Sequence, residues 1–573
     1  MRRIDSEPRI QIAKNIHQGV LEGFESNVAE LRTLERNRII TQIATNVDGN
    51  VYAFKHRLPP ILTSVLVTRQ SRSAEPDMRQ ILWDEFIVQP EVGFESLVSY
   101  LVQEDGLEQM LATQKAGETM DRIINSFGDD SVREQADGAV GIQKATVLFS
   151  MTAFREPLIT GIEASTRYIN WGKKVDGNYL YREAPATMSP EDRQRYTEAM
   201  DNLFDTYAAL YQPVLDYIRA KTPKEPGQTD RAYNTATRGR AFDNLRRLLP
   251  LGCLTNFGIH ANYRSFSEMV MNLSASNLPE ARETAAQIAT ELMQVNPQFM
   301  KVSQDRHGEA WVHYKSEADQ LIDNFGVTST PNLGTYMAPE GVHVRVLNRD
   351  YQYDLVRAAI AHNNAGLTEG SFDAAYLKIM GRNELENVLK YIGDARTNRR
   401  HKVPDFFNSV VVNASFNRLS FAAFKDFNRH RNILQKSEPN YSGELGFQIP
   451  DDIAEMGPGI VNVYLKAQMK AIEAYHALRE DYPVEARMLL THGTNTSYEV
   501  TMSLGEAFWM SELRSIASGD PEYRRIAMEL YRQTRAQIPE LSVMKHFVNF
   551  GNVSLNRIDE AVKADLRGAL KDI

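Results

Sequence analysis

A single cysteine, Cys253, occurs in the 573 residues of this chain. A disulfide framework, a zinc ribbon or an iron–sulfur cluster needs more thiols than one copy can offer. A basic surplus is also missing. Lys and Arg number 65 against 74 Asp and Glu, a net charge of −9, and a general nucleic-acid binder would carry the opposite balance. No apolar run approaches the roughly eighteen residues that a membrane helix requires. The opening MRRIDSEPRIQIAKNIHQG has no apolar core behind its arginines, which separates it from a secretory signal. The chain therefore reads as soluble and cytoplasmic, with no membrane partner and no stable nucleic-acid partner. A small anionic ligand stays possible, because a few arginines gathered at one place can hold it.

What is present is a long, ordinarily hydrophobic chain, with 42% apolar residues and enough length for about two to four cores. PEDRQRYTEAMDNLFDTYAALYQPVLDYIRAK sets Tyr196, Met200, Leu203, Tyr207, Leu210 and Tyr211 on one helical stripe behind a Ser189-Pro190 start signal. LPEARETAAQIATELMQ and DPEYRRIAMELYRQTRAQI read as further helices with Pro-Glu openings. ATVLFSM, VHVRVLN and NSVVVNASF read as strands. Residues 221–240 read as an exposed polar insertion, and 323–341 as a boundary between halves. The class is α/β (α+β), helix-rich with a mixed sheet in each half.

The halves share their order of blocks. RSFSEMVMNLSASNLPEARETAAQIATELMQVNPQF (264–299) resembles GEAFWMSELRSIASGDPEYRRIAMELYRQTRAQIPEL (505–541). LRRLLPLG (245–252) lies ahead of the first and EARMLLTHG (485–493) ahead of the second. Earlier still, MTAFREPLIT (151–160) stands opposite FKDFNRHRNIL (424–434). This is a diverged tandem duplication. It divides the chain into an N-terminal helical extension (1–50), a first repeat (51–322) and a second repeat (323–573).

Taken alone, Ser165 and Thr166 fit a helix cap, and Arg429-His430-Arg431 fits a solvated basic helix end. Jointly, the blocks resemble the flavin-dependent thymidylate synthase family, whose signature is Arg-His-Arg, seven residues, then Ser-x-Arg. The first half has Arg155-Glu156-Pro157, seven residues, then Ser165-Thr166-Arg167-Tyr168, with Glu163 at the family's glutamate position. The second keeps Arg429-His430-Arg431 but carries Pro439 and Tyr441 where Ser and Arg would stand. A later block gives Arg246, Pro250, Asn262 and Arg264, with Leu273 at the last arginine position. Its counterpart gives Arg487, Ser503, Gly505 and Arg514. GDDSVREQA supplies Ser131 and Glu134 at a further family turn, and His401 is the looser counterpart. Each half keeps what the other lacks.

The resemblance implies methylation of dUMP at C5 from methylenetetrahydrofolate, with FAD and NADPH supplying the reduction. It implies a composite site drawing on both repeats. Glu163, Ser165 and Arg167 would be catalytic. Arg155, Ser165, Thr166, Arg167, Arg246, Arg487 and Arg514 would bind the nucleotide. Arg429, His430, Arg431, Asn262, Arg264, Ser131, Glu134 and His401 would hold the flavin. Because the family is tetrameric, a two-repeat chain would form a homodimer that mimics the tetramer. No metal is implied. Two other outcomes stay open: an altered pyrimidine substrate or one-carbon outcome, and a non-catalytic relative that binds nucleotide or flavin. The flavin route needs no enzyme thiol, and Cys253, in the apolar turn PLGCLTN with no adjacent base, reads as core packing.

Overall fold

The computed structural model describes residues 33–41, 44–48, 66, 77–87, 131–329, 340–362, 366–553, 558 and 562. Of the expected N-terminal extension, 33–41 are helical and most of the remainder lies outside the described residues. The chain divides into two compact units. One comprises 1–140, 260–275 and 283–316, and the other 141–259, 276–282 and 317–573.

The duplication is visible as a repeated element order. The first copy runs β1 (Asp137–Thr146), α1 (Val147–Ala153), β2 (Thr160–Glu163), α2 (Pro190–Lys221), α3 (Asp230–Leu245), β3 (Leu254–Asn262), α4 (Tyr263–Ser274) and α5 (Pro279–Val295). After β4 (Gly341–Val346) and intervening helices, the second runs β5 (Val411–Ser420), α6 (Phe421–Asn428), β6 (Ile433–Lys436), α7 (Pro458–Leu478), α8 (Pro483–Leu489), β7 (Asn495–Ser503), α9 (Leu504–Arg514) and α10 (Pro521–Gln537). Sheet order is β1-β3-β2 in one copy and β4-β5-β7-β6 in the other, so β5-β7-β6 repeats the first order with β4 added at an edge. The second sheet is antiparallel at every pairing, where a mixed sheet was expected. Each of its strands is laid against a neighbour running the other way, and Val412, Ala414 and Phe416 point into the core opposite Met502, Val500 and Tyr498. The class is α+β and helix-rich.

One junction shows why the copies fold alike. Thr146 ends β1 and caps α1, its hydroxyl accepting from Phe149 N–H at 3.0 Å. Glu280, from the Pro-Glu opening of α5, accepts from Thr146 N–H at 2.8 Å and from its hydroxyl at 2.5 Å. In the second copy Ser420 caps α6, and Glu522 of α10 accepts from its N–H and hydroxyl at 2.7 and 2.6 Å. The Pro-Glu openings therefore place a buried carboxylate on a buried cap.

Two local expectations change. ATVLFSM is a strand only to Thr146, and Val147 to Met151 are helical. All five of these side chains are buried, so the run has no amphipathic period to distinguish helix from strand. Within 221–240 the exposed loop ends at Thr229, which caps α3. Ala232, Ala236 and Ala241 bury a narrow face that the polar composition conceals. By contrast α2 has the expected bounds: Ser189 accepts from Asp192 N–H, Pro190 occupies the first turn, and Tyr196, Met200, Leu203, Tyr207 and Leu210 are buried. Cys253 is buried in the core, and burial pushes its thiol pKa up.

The Leu-rich turns of the two copies pair with each other. Leu251 N–H donates to the Leu490 carbonyl at 2.7 Å, and His492 N–H donates to that of Leu249 at 2.8 Å. Gly252 N–H reaches Met488 O, and Gly493 N–H reaches Arg247 O. A Cβ on Gly493 would lie 2.7 Å from that Arg247 oxygen, so only glycine permits the approach. The reciprocal bonds give the two turns a local twofold relation.

Candidate functional site

The first copy's serine loop meets the second copy's arginine triplet inside this chain. Glu163, at the end of β2, has a side chain only 2% exposed. It accepts from Ser150 Oγ at 2.9 Å, from Lys425 Nζ at 3.0 Å and from Arg429 Nη2 at 2.7 Å. Burial alone would raise its pKa, but Lys425 and Arg429 outweigh burial and hold the carboxyl below its ordinary range. Lys425 is itself mostly buried, and burial lowers its pKa against the pull of Glu163. Lys425 and Arg429 sit four apart at the end of α6, on one helix face. The Arg429 side chain is 38% exposed and lies over Phe154, 5.1 Å from the ring centre.

The reciprocal contact exists with different chemistry. Arg155 donates to the carbonyls of Ser437 at 3.0 Å and Lys436 at 3.1 Å, and lies 3.3 Å from Glu438. Here Ser437 stands where Glu163 does, and Met151 where Lys425 does. Tyr441, at the position of Arg167, is stacked on Phe421.

Other predicted residues have definite partners. Ser165 folds its own loop, its hydroxyl accepting from Arg167 N–H at 3.2 Å, and Thr166 lies in the turn that follows. Arg167 holds Asp243 through two bonds of 2.5 Å and reaches the Ser518 carbonyl. Burial disfavours its charge, yet Asp243 keeps it protonated. Arg246 is buried and donates to Asp520 at 3.0 Å, while Arg247 bridges Asp520 and Glu522. Its counterpart Arg487 is exposed, stacked over Tyr441, and among the described residues has no carboxylate partner. The first copy's arginine is thus committed to the interior and the second's is open to solvent.

His430 is buried between Glu506 and Arg514. Arg514 Nε–H donates to His430 Nε2 at 3.1 Å, which leaves the ring hydrogen on Nδ1, 2.7 Å from Glu506 Oε1. Burial, then Arg514 and Lys436, drive the imidazole pKa well down. Burial raises Glu506 to about 7 against nearby cations. The middle residue of the triplet therefore orients Arg514, while Arg431 is exposed. His401 is exposed on its own loop, with Asn398 Nδ2 3.0 Å from its ring.

Asn262, Arg264, Ser131 and Glu134 belong to the other compact unit. Asn262 caps α4, accepting from Ser265 N–H at 2.8 Å. Arg264 donates to Glu134 at 2.7 Å and to Glu268 at 3.0 Å, so two of the predicted residues form one ion pair. Ser131 opens the short helix Ser131–Glu134.

Sequence reasoning passed over Lys425, Asp243, Asp520 and Glu506. The signal was present for Lys425, one turn ahead of Arg429. For the others it was absent, because their partners come from distant segments.

Two stretches of the chain, 92–298 and 357–540, match the model of the thymidylate synthase complementing protein family. The chain belongs to this family. The two matched stretches account for the two copies of one fold. A UPF0159 protein of Chlamydia pneumoniae is 28% identical over 547 residues, covering 93% of this chain and 98% of its own length. UPF0159 proteins of Chlamydia muridarum and Thermoplasma acidophilum are each 27% identical, over 92% and 88% of this chain and 97% and 98% of their own. The two-copy form is therefore shared along nearly the full length of these relatives. Family membership gives the chain a thymidylate synthase-like fold of the flavin-dependent kind. Among the described residues no helix is long and apolar enough to cross a membrane.

Proposed function

We propose that this chain is a flavin-dependent enzyme that methylates C5 of dUMP, or of a related pyrimidine deoxynucleotide, at one composite site per chain. Methylenetetrahydrofolate and NADPH are the co-substrates, and two chains associate to reproduce the family's four repeats. The observation that carries this reading is the 2.7 Å contact between Arg429 of one copy and Glu163 of the other. It brings the intact triplet and the intact serine loop together, although each copy is degenerate by itself.

The residues fit anionic ligands. Arg429 is partly exposed, and Arg431 and Arg487 are exposed with no carboxylate counted against the latter two among the described residues. Arg429 and Arg431 would hold the flavin diphosphate, and Arg487 the nucleotide phosphate, in guanidinium fork geometry. The bound flavin would supply the hydride that reduces the transferred one-carbon unit. Around it the chain's own residues bind and orient. Arg167, fixed by Asp243, shapes the serine loop, and His430 orients Arg514.

The absorption spectrum of the purified protein, with flavin counted per chain, tests this directly. About one flavin per chain, with dTMP formed from dUMP, methylenetetrahydrofolate and NADPH, is the expected result. Two flavins per chain would contradict a single composite site. No flavin after addition of excess FAD would leave a non-catalytic relative.

A further inference from the structure

Lys425 is assigned no role by the family resemblance, and it is the residue that most distinguishes the two reciprocal contacts. Around Glu163 stand two cations and one anion, Lys425, Arg429 and the carboxylate itself. Around Ser437 stand Arg155 and Lys436 with Glu438 and Glu156, two cations and two anions, and Met151 where Lys425 would be. One cluster keeps a surplus positive charge and the other is neutral.

The surplus bears on Arg429. A buried carboxylate 2.7 Å from a guanidinium would by itself neutralise that cation toward any incoming anion. Glu163 has a second partner, since Lys425 Nζ lies 3.0 Å from Oε1 while Arg429 binds Oε2. Ser150 Oγ donates to Oε1 as well. The carboxylate is therefore satisfied from within the protein, and Lys425, with a side chain 13% exposed, is too enclosed to meet a ligand itself.

We propose that Lys425 is a charge-compensating positioning residue, which offsets Glu163 so that Arg429 presents a full positive charge to an anionic phosphate ligand. This rests on the proposed function for the identity of the ligand, but not for the existence of the anion site. It also explains why Lys425 occurs in one copy only. The neutral cluster around Arg155 has no carboxylate at the Glu163 position to compensate.

The test is equilibrium binding of inorganic phosphate and of FAD, the diphosphate ligand proposed for Arg429, to the full chain, with the unfolding temperature of every variant measured alongside. Lys425→Met places in the live contact the residue its counterpart carries. Affinity for both anions should fall on the order of tenfold as the cluster loses its surplus charge. The double variant Glu163→Gln with Lys425→Met restores one uncompensated cation and should return affinity to within about threefold of the original. A merely structural role predicts the reverse: binding follows the unfolding temperature, and the double variant is no better than the single one. That result, unchanged affinity in Lys425→Met, or no phosphate binding to the unaltered chain would overturn the inference. Phosphate binding without FAD binding would instead sink the proposed function and leave the anion site standing.

Discussion

Arg429 Nη2 lies 2.7 Å from Glu163 Oε2, across 266 positions of sequence and between two copies of one fold. The reciprocal arginine, Arg155, finds only backbone carbonyls and the exposed Glu438. Two arginines in equivalent places thus have unequal surroundings, and the inequality can be measured.

Replacing Arg429 by Ala should lower kcat/KM for the proposed reaction on the order of a hundredfold, as expected from losing about 1.5–3 kcal/mol of charge-assisted contact. Arg155→Ala should cost less than about tenfold. Steady-state kinetics on both variants decide this, and equal losses would contradict the asymmetry.

Arg246 and Arg487 should separate in the opposite sense. Arg246 neutralises the buried Asp520, so Arg246→Ala should destabilise the fold by about 2 kcal/mol or more. Arg487 is exposed on Tyr441, so Arg487→Ala should change stability by less than about 1 kcal/mol while weakening nucleotide binding. Urea unfolding together with dUMP titration reads both effects.

The paired capping carboxylates predict graded losses. Glu280→Ala removes two bonds to Thr146 and should cost about 1–3 kcal/mol. Glu522→Ala removes the same two bonds to Ser420 and also strips Arg247 of a partner, so about 3–5 kcal/mol is expected. Denaturant midpoints give the order, and Glu280→Ala proving the more harmful would contradict this account.

Glu506 predicts a pH dependence. Its folded pKa, about 7, lies above the ordinary value of 4.5, so between those values the folded state holds the proton more tightly than the unfolded chain. Its contribution to stability therefore falls as pH rises through that window and is constant below and above it. Glu506→Gln removes this dependence. Relative to the variant, the original chain should be less stable at pH 8 than at pH 5 when unfolding is followed at both. No change in the difference would mean that the carboxyl titrates normally.

Much of this was legible in the chain before folding. The Pro-Glu openings at 279–280 and 521–522 identified two equivalent helices, and these supply the equivalent buried carboxylates. The spacing from Arg155 to Arg167, and the intact Arg429-His430-Arg431, identified complementary remnants of one signature. Local chemistry carries such signals, since caps, helix starts and short-range motifs depend on neighbours in sequence. The stretch 147–151 is helix where a strand was expected, because a fully buried helix has no polar face to declare it.

The sequence by itself determined the duplication, the complementary loss of motif residues and the lone, buried cysteine. Only the tertiary structure decided which charges are free. Arg246 and Arg487 occupy equivalent positions, yet one is spent on Asp520 and the other faces solvent. Lys425 is an unremarked lysine until β2 sets Glu163 beside it. Ionisation and availability depend on burial and on the nearest opposite charge. Both are set by segments hundreds of residues apart, so no local pattern can record them.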